Sequence, residues 1–426
     1  MKSEALDEEW RKLDRNLGYY FSKILGRPLC PPEHVYFSLT NRCNLKCKMC
    51  SVSTPESAVQ GELPFDECKD IIDQIADLKI EHIIFSGGEP IIRADIFELI
   101  EHAVSRKIKM ITLISNGSLI GSEVARRLVD SGLTHITLSL DGLEQTHDFI
   151  RGKGVFKRAL RTIDVINQAK GNRKFPTVGI NFTIMNCNVE DMVPMVELAR
   201  SKKCSTLVFQ PMLADNTEMH THRKNELWVS ERKMATLKSA IHKLLELKRT
   251  LTDLSIHVNE KILELIPDYF EGTLSGKRIK CFEAFVRIVI IPDGNLWTCR
   301  GFYGDLKKGS LKKHWFSRRA KNIRREIDHC KTHCLQSCVH LAELADIYPE
   351  VDKFLALIAH GEDKEEYSLK LIGSLKRYKQ FLEKKRRAEF FTNAFRRDAK
   401  SSRENLNKEI SKIAESIGRL GQEDKK

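Results

Sequence analysis

Hydrophobic and polar positions along this chain keep changing period. Short apolar or alternating runs, such as Val35-Tyr36-Phe37-Ser38-Leu39, give way to longer stretches with the spacing of an amphipathic helix. The short runs predict strands over 35–39, 82–86, 109–114, 134–140, 177–184 and 206–212. The longer stretches predict helices over 65–78, 94–106, 121–131, 155–169, 189–202 and 230–248. A strand-then-helix rhythm is the mark of parallel strands joined by crossover helices. Six such units are too few to close an eight-stranded barrel. The expected fold is therefore α/β, an open, partial (β/α)6 TIM-like barrel with its chemistry at the C-terminal ends of the strands.

From about Ser255 the rhythm breaks. The runs 286–291 and 296–299, joined by Pro292-Asp293-Gly294-Asn295, read as a β-hairpin turning on Asp-Gly. Cysteines gather around it, and beyond about Tyr348 the chain is charged and helical. Four regions are expected: an N-terminal helical extension (1–30), the barrel core (31–254), a small Cys-rich hairpin domain (255–345) and a charged helical C-terminal extension (346–426). Thirty residues are too few to fold alone.

Composition narrows the setting. The sequence has 426 residues and 12 cysteines, begins with an acidic segment lacking an apolar leader core, and nowhere runs eighteen apolar residues together. That predicts a soluble, cytoplasmic protein without membrane association, whose thiols stay reduced and bind metal rather than forming disulfides. The net charge of +13 comes in short basic runs such as Lys384-Lys385-Arg386-Arg387, mostly alternating with acids on helical segments. Solvated helix faces explain such runs better than a nucleic-acid groove does, and a preference for an acidic partner remains.

The sharpest chemistry lies just after the first strand, at Cys43, Cys47 and Cys50. Three thiolates can hold three irons of a [4Fe–4S] cluster and leave the fourth open to a ligand. A zinc knuckle would need a fourth nearby Cys or His, and the next cysteine, Cys68, falls in a helical pattern. The second strand ends in Gly87-Gly88-Glu89-Pro90, where paired glycines let polar atoms approach the backbone and a carboxylate can take a hydrogen bond from an ammonium group. The third and fourth strands end in Ser115-Asn116-Gly117 and Ser139-Leu140-Asp141-Gly142, small donor–acceptor side chains suited to hydroxyls and a carboxylate. Arg151 follows and could pair a carboxylate bidentately. Asn116-Gly117 and Asp141-Gly142 could equally be plain turns.

The C-x3-C-x2-C spacing with GGEP at the next strand end resembles the radical S-adenosylmethionine (SAM) superfamily. That resemblance implies a [4Fe–4S] cluster on Cys43, Cys47 and Cys50, and SAM contacts from Gly87, Gly88, Glu89, Ser115, Asn116, Ser139, Asp141, Arg151 and, on the sixth strand, Gln210. It implies reductive cleavage of SAM to a 5′-deoxyadenosyl radical that takes hydrogen from a substrate, fed by a flavodoxin- or ferredoxin-type electron donor. The spacing Cys281-x12-Gly294-x4-Cys299 is similar to the opening of SPASM and twitch extensions, although Cys330-x3-Cys334-x3-Cys338 departs from their closing pattern. One auxiliary [4Fe–4S] cluster is expected, on Cys281, Cys299 and two of Cys330, Cys334 and Cys338, with Cys338 foremost. A four-cysteine zinc ribbon on the hairpin is the alternative.

In the sulfatase-maturing branch an acidic side chain lies near the hairpin cysteine, whereas here Arg300 follows Cys299. The substrate is expected to be a peptide or protein undergoing maturation, or a small molecule such as an amino-sugar or nucleotide undergoing dehydrogenation or decarboxylation. No catalytic residue is singled out. Arg287, Arg300, Lys307 and Lys308 on the hairpin module suggest an anionic group on that substrate. A non-catalytic Fe–S carrier would leave the strand-end motifs without a reason to occur together.

Overall fold

The fold is seen in a computed structural model, which describes residues 2–50, 52, 61–212, 226–274, 281–330, 334–335, 347–358, 364–392 and 398–423. Packing divides the chain into two compact units, Pro31–Ala342 and a second made of Met1–Cys30 with Glu343–Lys426. The chain opens with helix α1 (Lys2–Leu25) of the second unit.

The larger unit begins with β1 (His34–Thr40), α2 (Phe65–Asp77), β2 (His82–Gly87), α3 (Ile96–Ser105), β3 (Met110–Ser115), α4 (Ser122–Asp130) and β4 (His135–Ser139). It continues through α5 (Glu144–Arg151), α6 (Val155–Lys170), β5 (Thr177–Ile184), α7 (Pro194–Ser201), β6 (Thr206–Pro211) and α8 (Glu231–Thr250). The strands pair in parallel in chain order, with Val35 opposite Ile83 and Ile180 opposite Leu207. On β1 the alternation is plain: Val35, Phe37 and Leu39 are sealed in the core, while His34, Tyr36 and Ser38 on the other face are half-buried. Helix α2 meets that core with Cys68, Ile71, Ile72 and Ile75, spaced three and four apart along one stripe.

The face turned away from the helices is polar and internally bonded. Tyr36 Oη meets Ser86 Oγ at 2.6 Å, His82 Nε2 meets Thr112 Oγ1 at 3.0 Å and His135 Nδ1 meets Thr177 Oγ1 at 2.7 Å. Burial pulls the His82 and His135 pKa values down to about 4, so both rings are neutral near pH 7.

Beyond the six expected units come β7 (Ser255–Ile256), α9 (Glu260–Glu271), β8 (Arg287–Ile290), β9 (Asn295–Thr298), β10 (Gly301–Asp305), α10 (Leu311–Trp315) and α11 (Arg318–Asp328). The Asp-Gly hairpin forms as expected: Gly294 has φ +86°, its N–H donates to Ile291 O at 2.9 Å, and Asn295 N donates to Asp293 Oδ1. Its placement was not legible. β8 lies parallel to β1, with His34 opposite Arg287 and Tyr36 opposite Val289, so the hairpin continues the barrel sheet. The strand order is β10-β9-β8-β1-β2-β3-β4-β5-β6-β7, an open sheet with β10 and β7 at its edges.

The second unit joins both ends of the chain. Helices α12 (Tyr348–Ile358), α13 (Lys364–Thr392) and α14 (Asp398–Glu423) pack with α1. Phe21 stacks on Tyr378 at 4.7 Å, Tyr20 Oη donates to Glu409 Oε2 at 3.0 Å and Ser374 Oγ donates to Asp14 Oδ1 at 2.7 Å. No described helix is long and apolar enough to cross a membrane.

Candidate functional site

The loop after β1 carries Cys43, Cys47 and Cys50, and the backbone after β2 braces it. Gly88 N donates to Thr40 O at 2.6 Å and Glu89 N to Arg42 O at 2.8 Å. A Cβ on Gly88 would sit 2.2 Å from Arg42 O, and one on Gly87, whose φ is +139°, would sit 2.3 Å from Thr40 O. The paired glycines thus admit the cysteine loop's own backbone, where the sequence suggested an approaching ligand. Arg93, which sequence reasoning missed, anchors the same junction: 6 % exposed, it donates to Leu39 O at 3.2 Å and Leu63 O at 3.0 Å and pairs with Asp95 at 2.6 Å. Arg42 and Glu62 add a bidentate pair at 2.8 and 2.9 Å.

Glu89 is fully buried and takes three donors: Ser115 Oγ at 2.9 Å, Asn116 N at 2.8 Å and Ile91 N at 3.2 Å. Burial pushes its pKa up, against those donors. Three sequence-marked residues from two strand ends therefore meet at one carboxylate. Asn116 also reaches the cysteine loop, with Nδ2 at 3.0 Å from Asn44 Oδ1 and 3.9 Å from Cys43 Sγ.

Asp141 and Arg151 form a second group. Asp141 is fully buried; its Oδ2 accepts from Arg151 Nε at 2.6 Å, and its Oδ1 accepts from Thr183 N at 2.8 Å. Arg151 Nη1 lies 3.9 Å from Cys47 Sγ. Sequence reasoning missed α5, which ends in Arg151, and with it His147. The buried His147 ring accepts from Asp141 N at 3.1 Å, its Nε2 has no hydrogen-bond partner among the described residues, and burial pulls its pKa down to about 4. Ser139 and Gln210 stand half-buried at the ends of β4 and β6, opposite Asn181 and Thr183.

Among the described residues, no three His, Cys, Asp or Glu side chains converge as a single metal ion would require. A cuboidal cluster asks for something else, because each thiolate binds its own iron. Cys47 lies close enough to feel the charge of both Cys43 and Cys50, and Cys43 that of Cys50, without the three converging on one point. Burial raises the Cys43 pKa and pushes Cys47 up to about 11, so both are neutral thiols until a metal ionises them. This donor set fits the cluster.

Around the hairpin, Cys281 precedes β8 and Cys299 directly follows β9. Cys299 keeps part of its surface exposed, yet the atoms packed around its thiol push the pKa up to about 12, reinforced by neighbouring Glu283, Cys281 and Cys334. Three of the expected thiols therefore share one locality; Cys330 Sγ contacts the Arg300 guanidinium, and Cys338 lies outside the described residues. Glu283, 1 % exposed, supplies an acidic side chain near Cys299 that the sequence reading did not identify. It pairs with Arg287 at 2.6 Å, and Lys308 pairs with Asp305 at 3.0 Å. Arg287 is thus neutralised within the fold, whereas the Lys308 side chain stays largely exposed beside its partner. Cys68 and Cys204 are buried, as isolated small apolar side chains would be.

A family model described as the Radical SAM superfamily matches residues 37–199. Among curated relatives, the chain is 36% identical to the Fe-coproporphyrin III synthase of Methanosarcina barkeri, over 41% of this chain and 43% of that one. It is 29% identical to the mycofactocin maturase MftC of Mycobacterium tuberculosis, over 66% of each chain. The matches span less than half the length of the first of these relatives. Among solved structures, SuiB of Streptococcus suis with bound S-adenosylmethionine aligns at a TM-score of 0.53 and 17% identity, covering 69% of this chain and 66% of that one. A structure titled native anSMEcpe with bound AdoMet aligns at 0.55 and 16%, covering 76% and 96%. At that identity the likeness speaks to the fold.

Proposed function

We propose that the chain is a peptide- or protein-modifying radical SAM enzyme whose barrel is followed by a SPASM-like module, a reading supported by the family model over residues 37–199 and the likeness to the mycofactocin maturase. The observation carrying the core of this reading is the three-thiol loop braced by Gly88 and Glu89, with Asn116 and Arg151 beside two of its sulfurs. Cys43, Cys47 and Cys50 would hold the cluster, and Glu89, Ser115, Asn116, Ser139, Asp141, Arg151 and Gln210 would line the SAM side of the strand ends. When bound, cluster and SAM supply one-electron cleavage of SAM and hydrogen abstraction from substrate. The protein's part is to hold the loop rigid, keep water out with the sealed core and aim the substrate. After anaerobic reconstitution, SAM with a strong reductant should release 5′-deoxyadenosine, and a Cys43→Ala/Cys47→Ala/Cys50→Ala variant should release none. A protein that gains no iron chromophore and does not bind SAM would refute this function.

A peptide substrate is favoured because the mycofactocin maturase matches over 66% of both chains, more of this sequence than the barrel alone occupies. Two neighbours of the same fold are described with peptides, SuiB with precursor peptide SuiA and anSMEcpe with Cp18Cys. The second reading, oxidation of a small molecule, rests on the higher identity, 36%, to the Fe-coproporphyrin III synthase over 176 residues. Comparison of peptides and metabolites in cells with and without the protein separates the two.

The hairpin module would hold one auxiliary [4Fe–4S] cluster on Cys281, Cys299, Cys334 and either Cys330 or Cys338. Mutating the first two should lower bound iron by about four atoms per chain; unchanged iron and sulfide would rule the cluster out. We assign residues 31–254 to SAM chemistry and 255–345 to this cluster. The net charge of +13 suits an acidic flavodoxin- or ferredoxin-type donor, and clusters sensitive to oxygen favour a reducing, cytoplasmic setting.

A further inference from the structure

The loop that carries the three thiols presents a basic outer side. Lys46 and Lys48 stand exposed between its cysteines, and Cys50 is exposed as well. Lys48 N donates to Ile150 O at 3.0 Å, which ties the loop to the last turn of α5. The Lys48 ammonium lies 3.3 Å from the centre of the Phe149 ring, and that ring is itself 50 % exposed. Lys153 stands exposed two residues past the end of α5. Among the described residues Lys46, Lys48 and Lys153 form no ion pair. The carboxylates on the adjoining elements are taken: Glu62 by Arg42, Asp141 by Arg151 and Glu144 by Lys157. Asp148 accepts from Gly154 N and Phe156 N, with Arg158 in electrostatic reach.

An exposed aromatic ring among unpaired ammonium groups suits a negatively charged partner with an apolar contact point, and electron-transfer encounters are small enough for so compact a face. Resting on the radical SAM reading, the cluster on this loop takes up one electron before each cleavage of SAM. We propose that Lys46, Lys48, Phe149 and Lys153 form the docking face for an acidic flavodoxin. Its anionic hydroquinone gives one electron to the oxidised cluster and becomes the neutral semiquinone. The lysines steer the carrier by charge, and Phe149 meets the apolar edge of its flavin. Docking here brings the flavin up to the loop that holds the cluster, whereas the +13 charge of the whole chain points to no particular face.

Binding is measured apart from turnover. A bacterial flavodoxin of net negative charge, in its oxidised form, is titrated by calorimetry into the anaerobically reconstituted protein at about 50 and about 200 mM salt. Phe149→Ser/Lys153→Glu should raise the dissociation constant about tenfold or more, and the wild-type complex should weaken with salt. Lys312→Glu/Lys313→Glu, on the exposed side of α10, removes more positive charge and should change it by less than about threefold. Release of 5′-deoxyadenosine driven by the flavodoxin hydroquinone should fall in Phe149→Ser/Lys153→Glu, while release driven by dithionite stays within about threefold of wild type. Lys153→Glu alone, at an exposed position, should weaken binding about threefold and serves if the double variant does not fold. No binding by wild type, binding insensitive to salt, an unmoved constant in Phe149→Ser/Lys153→Glu, or an equal loss in the α10 variant overturns the proposal. Equal loss of turnover under both reductants places the face in SAM or substrate binding and overturns it too. A wild-type protein that releases no 5′-deoxyadenosine even with dithionite instead overturns the functional reading beneath it.

Discussion

Replacing Gly88 by alanine tests the claim that this glycine is needed for the cysteine loop. The added Cβ would stand 2.2 Å from Arg42 O and 2.6 Å from Arg42 C, both backbone atoms with no side-chain freedom to yield. The two chains must part, loosening the Gly88–Thr40 and Glu89–Arg42 hydrogen bonds of 2.6 and 2.8 Å. Each buried backbone bond contributes about 1 kcal/mol net, and the overpacking adds about 1–3 kcal/mol, so Gly88→Ala should destabilise by about 3–5 kcal/mol. Tryptophan fluorescence in urea reads this, because Trp228, Trp297 and Trp315 all lie in the Pro31–Ala342 unit. Iron bound after reconstitution should fall in parallel. Gly121→Ala is the control: its Cβ meets nothing within 4 Å, and the change at a helix N-cap should cost less than about 1 kcal/mol. If Gly88→Ala unfolds with the control and binds full iron, the steric argument is wrong.

Acid should weaken the larger unit. His82, His135 and His147 are held at about 4 by burial, below the usual 6.5, so the unfolded chain takes up protons that the folded one refuses. Stability should be flat above about pH 6.5 and fall progressively toward pH 4, with each ring contributing on the order of 3 kcal/mol at most. His82→Gln/His135→Gln should flatten that slope in urea melts at pH 7 and 5; an unchanged slope contradicts the assignment. Arg324, 2 % exposed, donates to Ala284 O at 2.8 Å and Trp315 O at 2.9 Å, so Arg324→Met strands two carbonyls and should cost about 2–4 kcal/mol. The same variant should lose hairpin iron before barrel iron, and retention of both at wild-type stability would count against that role.

Local periodicity exposed the six parallel strands, each within a residue or two, because each is a short apolar run, alternating throughout on β6 and buried at three successive positions on β3, β4 and β5. The elements missed have local causes. α5 is short and polar, with Thr146, His147 and Asp148 in its middle, and α9 carries Pro267 inside the helix, which reads as a break. Contacts distant in sequence were beyond reach. Nothing near Arg287 announces that Glu283 turns back to neutralise it, or that β8 lies beside β1. The cysteine triad and GGEP were legible as chemistry, while the partner of the paired glycines was not, because it is Arg42 from the preceding strand's loop.

The parallel seam between β1 and β8 has a consequence for anyone who would trim this protein to its barrel. Remove everything from Arg287 onward and alternate residues between His34 and Phe37 would present their backbone amides and carbonyls bare along the strand that leads into the first cysteine loop. That rim would invite strand addition from a second molecule, so a shortened chain should form dimers or precipitate. The hairpin is therefore also the barrel's selvedge, the woven border that keeps the sheet from being extended by a neighbour.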